Sequence, residues 1–567
     1  MSYDLVLLHA PSVYDFRQKT ILYGPVSDLI PPSPVFEMYP IGLTSIAEYL
    51  ERHGYRVRIV NLAVRMMRDR SFDAEAFIQK LQSPIFGIDL HWMVHCHGSV
   101  EIARLVKKHH PHSKVIFGGF SSTYFYRELL QKREIDFVLR GDSTEKPFLM
   151  LMDCLKNGGD LSSIPNLAWK DEKGNVRENP FTYVPDDISD VMVDHYGYVV
   201  RSVIRDRDLI SYTPVSDWLR YPITAVITCR GCNQNCLICG GSQATFRSCY
   251  RRQSPVFRTP EAVIRDIEQV SRFSNGPIFI LGDLRQPGND YAEKIFHFLE
   301  QVHPKNRFIL ELFYPADREF IARMSQACPG FYLEISPESH DPEIRKVIGR
   351  PYSTEDMEKT IEYALDSGCS RLDVFFMIGL PRQAPDSVMA TIDYCDHLFQ
   401  RFKGDKRLSL FISPLAPFLD PGSIAFESPQ RFGYTVLFRS LEEHRQALIS
   451  PSWKYSLNYE TKWLSRQQLV DVSYEAIRRL NRLRVKYHTV PQELADIAEQ
   501  RLNAAEEMTH RLDDLLAKGD YEGIERLKPQ VDRINVFPVP EKIQLEVPPP
   551  LIRIKPLRAL WYALTGR

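Results

Sequence analysis

Cys229, Cys232, Cys236 and Cys239 fall within the stretch TCRGCNQNCLICGG, in a chain of 567 residues that contains only 10 cysteines. Thiols packed this closely ask for a specific explanation, and three readings compete. In a four-thiolate zinc site the two Cys-x2-Cys pairs normally lie far apart in sequence, so that each forms its own turn around the ion. Here only Asn233, Gln234 and Asn235 separate Cys232 from Cys236, which is sterically poor for zinc. The subset Cys232-x3-Cys236-x2-Cys239 instead suits three irons of a 4Fe–4S cluster and leaves the fourth iron open to a substrate or cosubstrate; a fully ligated cluster would be an electron carrier. Unrelated buried thiols are a third reading, which the crowding argues against. Cys229, at the end of the preceding strand, reads as a packed thiol. The other six, Cys96, Cys154, Cys249, Cys328, Cys369 and Cys395, are scattered and read as reduced, mostly buried thiols of a cytoplasmic protein.

The elements that must position this cluster form two β/α series. Residues 1–165 alternate continuous apolar strands (Asp4–His9, Arg56–Val60, Ile85–Leu90, Lys114–Phe117, Asp136–Leu139) with amphipathic helices such as Ile41–His53. That pattern predicts a doubly wound, Rossmann-like parallel sheet with ligands beyond the carboxyl ends of its strands, at HAPS, DLHW, GGFSST and RGDSTE. Residues 166–220 are proline-rich and read as a linker. Residues 221–420 carry six further strands separated by helices, which suits a partial (β/α)6 TIM-type barrel. Residues 421–567 are helical: Ser465 and Gln468 form a capping box ahead of an apolar stripe from Leu469 to Leu483, and the chain closes on a basic-aromatic tail. The fold class is α/β with a helical C-terminal region.

Cys232-x3-Cys236-x2-Cys239 on the loop after the first strand of a β/α series resembles the radical S-adenosylmethionine (SAM) superfamily. YLEISPES at 332–339, EIRKVIGRPY at 343–352 and MIGLP at 377–381 are similar to its SAM-contacting regions. Upstream, YPIGL at 39–43, Gly118–Gly119 and RGDSTE at 140–145 resemble the cobalamin-binding domain that precedes the barrel in one large subclass. The resemblance implies a 4Fe–4S cluster on Cys232, Cys236 and Cys239, which are then both metal ligands and catalytic. It implies SAM contacts from Asp283, Glu334, Ser336, Glu338 and Gly379, with Arg285 beside Asp283. For cobalamin it implies contacts from Pro40, Gly42, Gly118, Gly119 and Gly141. Glycine-lined loops let the backbone approach a large flat corrin. The loop HAPSVYD lacks the Asp-x-His-x-x-Gly motif of histidine-ligated cobalamin domains, so the default is cobalt with no histidine below it. Among His91, His95 and His97 after the third strand, His91 is the candidate that approaches the lower face.

The function implied is cobalamin-dependent radical methylation of an unactivated carbon. Cyclisation, ring contraction or carbon–carbon coupling without methyl transfer is the alternative in the same class, and a non-enzymatic zinc-binding interaction protein lies in another. A methylthiolating RNA-modifying enzyme is disfavoured, because only Cys96 and Cys154 precede the motif and the C-terminus reads helical. Lys+Arg (71) and Asp+Glu (72) cancel, so no nucleic-acid partner is expected. Expected partners are a small-molecule or lipid substrate and an electron donor such as flavodoxin or ferredoxin. Neither a signal peptide nor a membrane span is legible, giving a cytoplasmic expectation. The tail 551–567, with Arg553, Lys555, Arg558 and Arg567 among apolar residues, is a candidate for peripheral membrane contact, although Pro556 is expected to interrupt a helix there.

Overall fold

The computed structural model describes residues 2–24, 40–191, 195–216, 218–536 and 554–565. The first sheet has strands β1 Leu5–His9, β2 Val57–Asn61, β3 Ile85–Asp89, β4 Lys114–Gly118, β5 Phe137–Leu139, β6 Leu167–Lys170 and β7 Val176–Glu178, in the order β2-β1-β3-β4-β5-β6-β7. β1 to β5 pair in parallel. β1 and β3 are buried throughout, because helices cover both faces of the sheet, and so they read as unbroken apolar runs. β1 lies between β2 and β3, so the strand order reverses beside it. A doubly wound sheet opens its ligand crevice at such a point.

The segment 166–220, expected as a linker, is not one. β6 pairs antiparallel with β5, β7 pairs antiparallel with β6, and together they complete the sheet. Their turn is built by Asp171, whose carboxylate accepts from the backbone N–H of Lys173 and Asn175, and by Gly174 at φ 80°. The helix His195–Asp206 follows. Asp208 just beyond it is held by Arg58 at 2.9 Å and by Arg65. The prolines that suggested a linker bracket these short elements rather than replacing them.

The second sheet contains β8 Thr224–Ile227, β11 Ile278–Leu281, β12 Phe308–Leu312, β13 Tyr332–Glu338, β14 Arg371–Ile378 and β15 Leu408–Pro414, all parallel and in sequential order. The short strands β9 Cys229–Arg230 and β10 Val256–Phe257 pair with each other beside it. Helices such as Pro260–Phe273, capped by the Thr259 side chain on the Ala262 N–H, return the chain between strands. β8 and β15 are the two ends of this sheet and do not pair, so it is a partial barrel.

In the C-terminal region β16 Tyr434–Val436 pairs with β17 Tyr459–Thr461. The helix Arg466–Lys486 starts at the Ser465–Gln468 capping box and packs on the helix Pro385–Arg401 and on β15. Its Leu469 and Leu480 join the barrel's core, and truncating either to alanine would cost about 2–5 kcal/mol. Pro556 does not interrupt the tail: a helix runs from Pro556 to Thr565 and packs on His195–Asp206. Proline is favoured in a first helical turn, where its missing N–H has no partner to lose.

Candidate functional site

A cavity of about 530 Å³ lies where the carboxyl ends of the two sheets meet. Pro40, Gly42, His91, Gly118, Gly119 and Gly141 line it from the first sheet; Cys229, Cys232, Cys239, Gly282, Gln286 and Glu311 line it from the barrel. Three polar ties clamp the halves together. Arg230, between Cys229 and Cys232, is paired with Glu145 at the start of the helix Glu145–Asn157. Arg252 is paired with Asp142, its second contact being 3.1 Å. The Asp420 carboxylate accepts from Trp92 Nε1 at 3.1 Å and from the Gly240 N–H at 3.0 Å, next to Cys239.

The cysteine loop is held as a rigid cradle. The Leu237 N–H donates to Ile348 O at 3.1 Å, and Gly349, at φ 92°, lies so close that a Cβ there would come within 2.9 Å of Asn235 O. Gln234 N–H points at Cys232 Sγ (3.3 Å) and Gly241 N–H at Cys239 Sγ (3.2 Å). Amide donors aimed at thiol sulfur stabilise cluster-bound thiolate and tune its potential. Burial raises the Cys232 and Cys236 thiols, and the Arg350 guanidinium opposes that rise. Three thiols on one loop, two with amide donors and a cation nearby, fit a 4Fe–4S cluster. Cys229 lies on β9 and lines the same cavity; its Sγ donates to Gly231 O at 3.6 Å, and burial pushes the thiol up to about 11.

Asp283, expected at SAM, is 4% exposed, with its carboxylate fully engaged. It takes Arg285 Nε at 3.0 Å, Arg285 Nη2 at 2.6 Å and the Phe313 N–H at 2.9 Å. It is a structural clamp that joins the loop after β11 to the loop after β12. The carboxylate on the cavity wall there is Glu311, whose Oε1 accepts the Gly282 N–H at 2.5 Å. Strand alternation in FILEL places it, but nothing in that run distinguishes it from a solvated edge residue. Gly379, like Cys236, Glu334, Ser336, Glu338 and Arg350, does not line this cavity; its φ of 99° and the Tyr459 hydroxyl, which a Cβ would strike, are what demand glycine.

Glu334, Ser336 and Glu338 alternate on the less buried face of β13. Glu334 lies in register with Glu311 on β12 and Asp373 on β14, a row of three carboxyls. Burial, then Asp373 and Glu311, push Glu334 up to about 8. A register shift between Ile335 and Glu338 leaves Glu338 at φ 65°, in the left-handed region. Non-glycine residues rarely adopt that conformation, and it concentrates at functional sites. Burial lifts Glu338 to about 7, against Arg350, whose Nη2 is 3.9 Å away. Arg350 went unrecognised in the sequence, although RPY after Gly349 marked it. It is 9% exposed, donates Nη1 to Phe313 O at 2.9 Å, and its buried Nε has no hydrogen-bond partner among the described residues.

The sheet wall is shaped for close approach. A Cβ on Gly42 or Gly118 would meet nothing within 4 Å, whereas on Gly119 (φ 113°) it would strike the His91 backbone at 2.6 Å. Gly141, at φ 122°, donates its N–H to Thr123 Oγ1 at 2.9 Å. Tyr39, quoted with Pro40 and Gly42, lies outside the described residues. His91 Nδ1 bonds Asp89 Oδ2 at 2.7 Å, and His9 Nδ1 bonds Oδ1 at 2.9 Å. Burial alone would raise the Asp89 carboxyl, but His9 and His91 hold it well below the usual range. His95 and His97 are buried, His95 with Nδ1 on Ala10 O and His97 with Nδ1 accepting the Tyr14 N–H. A wide glycine-lined recess facing a thiol loop fits a corrin.

Comparison with known proteins identifies the family. Residues 226–395 match the radical SAM superfamily and residues 33–147 the B12 binding domain. A cytidylyl-2-hydroxyethylphosphonate methyltransferase of Streptomyces wedmorensis is 21% identical over 67% of this chain and 77% of its own. A hopanoid C-3 methylase of Methylococcus capsulatus is 25% identical over 47% and 48%. In fold, the radical SAM methyltransferase TsrM of Kitasatospora setae, solved with cobalamin and a 4Fe–4S cluster, superposes with a TM-score of 0.58 at 16% identity, covering 91% of this chain and all of that one. The chain belongs to the cobalamin-binding radical SAM family. It is an enzyme of the class whose cofactors are a 4Fe–4S cluster, SAM and cobalamin, and the zinc-protein alternative falls away.

Proposed function

We propose that the protein methylates an unactivated carbon by radical transfer within this cavity. What carries the reading is the facing of Cys232 and Cys239 on one wall by the glycine recess on the other, around a single space. When bound, the cluster and SAM supply a 5′-deoxyadenosyl radical on one-electron reduction, and methylcobalamin supplies the methyl group. The chain's own part is placement and exclusion of water. Cys232, Cys236 and Cys239 hold the cluster. Arg350, buried with an unmatched Nε, offers the charge that a SAM carboxylate needs. Glu311 and Glu338 offer acceptors for its amino group and ribose, and Glu334 with Ser336 continues that polar face. Pro40, Gly42, Gly118, Gly119 and Gly141 seat the corrin, while Ile41, Phe117, Phe246 and Phe313 keep the cavity dry.

The reductant is a one-electron donor such as flavodoxin or ferredoxin, and the substrate is a small molecule or a lipid. For a lipid the tail offers support. Tyr562 docks, accepting from Arg201 at 2.8 Å and meeting Phe273 edge-on, while Leu557 and Trp561 stay 82% and 56% exposed. An apolar face beside basic residues is what a peripheral membrane contact uses; loss of liposome binding on removal of 551–567 tests it. Among the described residues no helix is long and apolar enough to cross a membrane.

The reaction is tested anaerobically with reconstituted enzyme, reductant, methyl-deuterated SAM and candidate substrates. 5′-Deoxyadenosine and S-adenosylhomocysteine should form together, with deuterium in the product. Deoxyadenosine without S-adenosylhomocysteine would point to cobalamin-bound cyclisation, ring contraction or coupling instead.

A further inference from the structure

Residues at the ends of β1 and β3 form a linear relay at the point where the strand order reverses. His9 closes β1 and Asp89 closes β3. One Asp89 oxygen takes His9 Nδ1 at 2.9 Å and the other takes His91 Nδ1 at 2.7 Å. A carboxylate only accepts, so both imidazoles carry their hydrogen on Nδ1, and the His91 lone pair is left on Nε2. That nitrogen makes no hydrogen bond to a described residue. The His9 and Asp89 side chains are 0% and 5% exposed, but His91 is 28% exposed and lines the cavity. Its Nδ1 edge is thus turned into the sheet, and the opposite edge is the one left to face the space. Gly119 fixes the ring's backbone, since a Cβ there would strike His91 Cα and N at 2.6 Å. A carboxylate orienting one imidazole nitrogen so that the other binds metal is how proteins fix a histidine ligand.

We propose that His91 ligates the cobalt of the bound cobalamin through Nε2, with Asp89 and His9 as positioning residues. This rests on the cobalamin-dependent reading and reverses the expectation of no histidine below the cobalt. The Asp-x-His of that motif follows the first strand, whereas here Asp89-Leu-His91 begins on the last residue of the third, across the same crevice.

The test is the electron paramagnetic resonance spectrum of full-length protein loaded with cobalamin and reduced to cob(II)alamin. One nitrogen below the cobalt splits the high-field lines into triplets. In protein grown on 15N-histidine those triplets should become doublets, a change that the cofactor's own benzimidazole cannot produce. His91→Ala should keep the corrinoid and lose the histidine-derived splitting, and Asp89→Asn should weaken it. Triplets unchanged by the label, lines without nitrogen splitting, or label-sensitive splitting that survives in His91→Ala would overturn the assignment. Wild-type protein that takes up no corrinoid would instead defeat the cobalamin reading, and this assignment with it.

Discussion

Arg230 Nη1 lies 3.0 Å from Glu145 Oε2, with Nη2 on the other oxygen, so the cluster loop and the sheet domain meet through a bidentate, largely buried pair. Glu145 also accepts from Ser45 Oγ. Breaking such a pair strands a charge and costs about 3–5 kcal/mol, whereas replacing both partners by apolar groups is close to neutral. Arg230→Met alone should therefore lower the calorimetric midpoint of the apoprotein clearly. Arg230→Met with Glu145→Leu should recover most of that loss.

Arg350 faces Cys232, Cys236 and Glu338 from a buried position. Arg350→Gln should keep the fold and weaken SAM binding by about 10–100-fold, since a hydrogen bond to a charged group contributes about 1.5–3 kcal/mol. Equilibrium binding to the reconstituted protein measures it; unchanged affinity would remove Arg350 from the SAM site.

The glycine wall makes a paired prediction. Gly118→Ala meets no protein atom, so stability should hold while cobalamin affinity falls, because the new methyl occupies the recess. Gly119→Ala is strained at φ 113° and collides with the His91 backbone, so it should lose both stability and affinity. Thermal midpoints measured beside cobalamin titrations separate the two.

Glu334 is raised by burial and by its carboxyl neighbours, so the native apoprotein keeps a proton that the unfolded chain gives up. The unfolded chain binds fewer protons between pH 4.5 and about 8, so this group's stabilisation is complete below 4.5 and is lost as pH rises. The slope is at most about 1.4 kcal/mol per pH unit for each such group. Glu334→Gln should flatten the fall measured by denaturant titration from pH 5 to 8. An equal slope in both proteins would contradict the carboxyl row.

The sequence announced the chemistry better than its contacts. The spacing of Cys232, Cys236 and Cys239 pointed to a cluster, and so to the family, because few other uses need thiols so close together. The buried parallel strands were legible because their apolar runs are continuous. Asp283 and Gly379 have surroundings that the sequence did not announce, because position along a strand does not say what occupies the space opposite. Arg285 claimed the first and Tyr459 the second. Glu311 and Arg350, proposed at SAM, carried no signal in the sequence because what surrounds them is distant along the chain, Gly282 for one and the cysteine loop for the other. The hairpin of β6 and β7 hid behind its prolines, which mark the ends of short strands as readily as they mark linkers.

The most direct test is a comparison of single Cys→Ala variants purified anaerobically and reconstituted with iron and sulfide. Cys232→Ala, Cys236→Ala and Cys239→Ala should each lose the 4Fe–4S signature and all reductive cleavage of SAM to 5′-deoxyadenosine, while Cys229→Ala retains both. Full cleavage by any of the first three, or its abolition in a folded Cys229→Ala protein, would contradict a three-thiolate cluster with one iron left open for SAM.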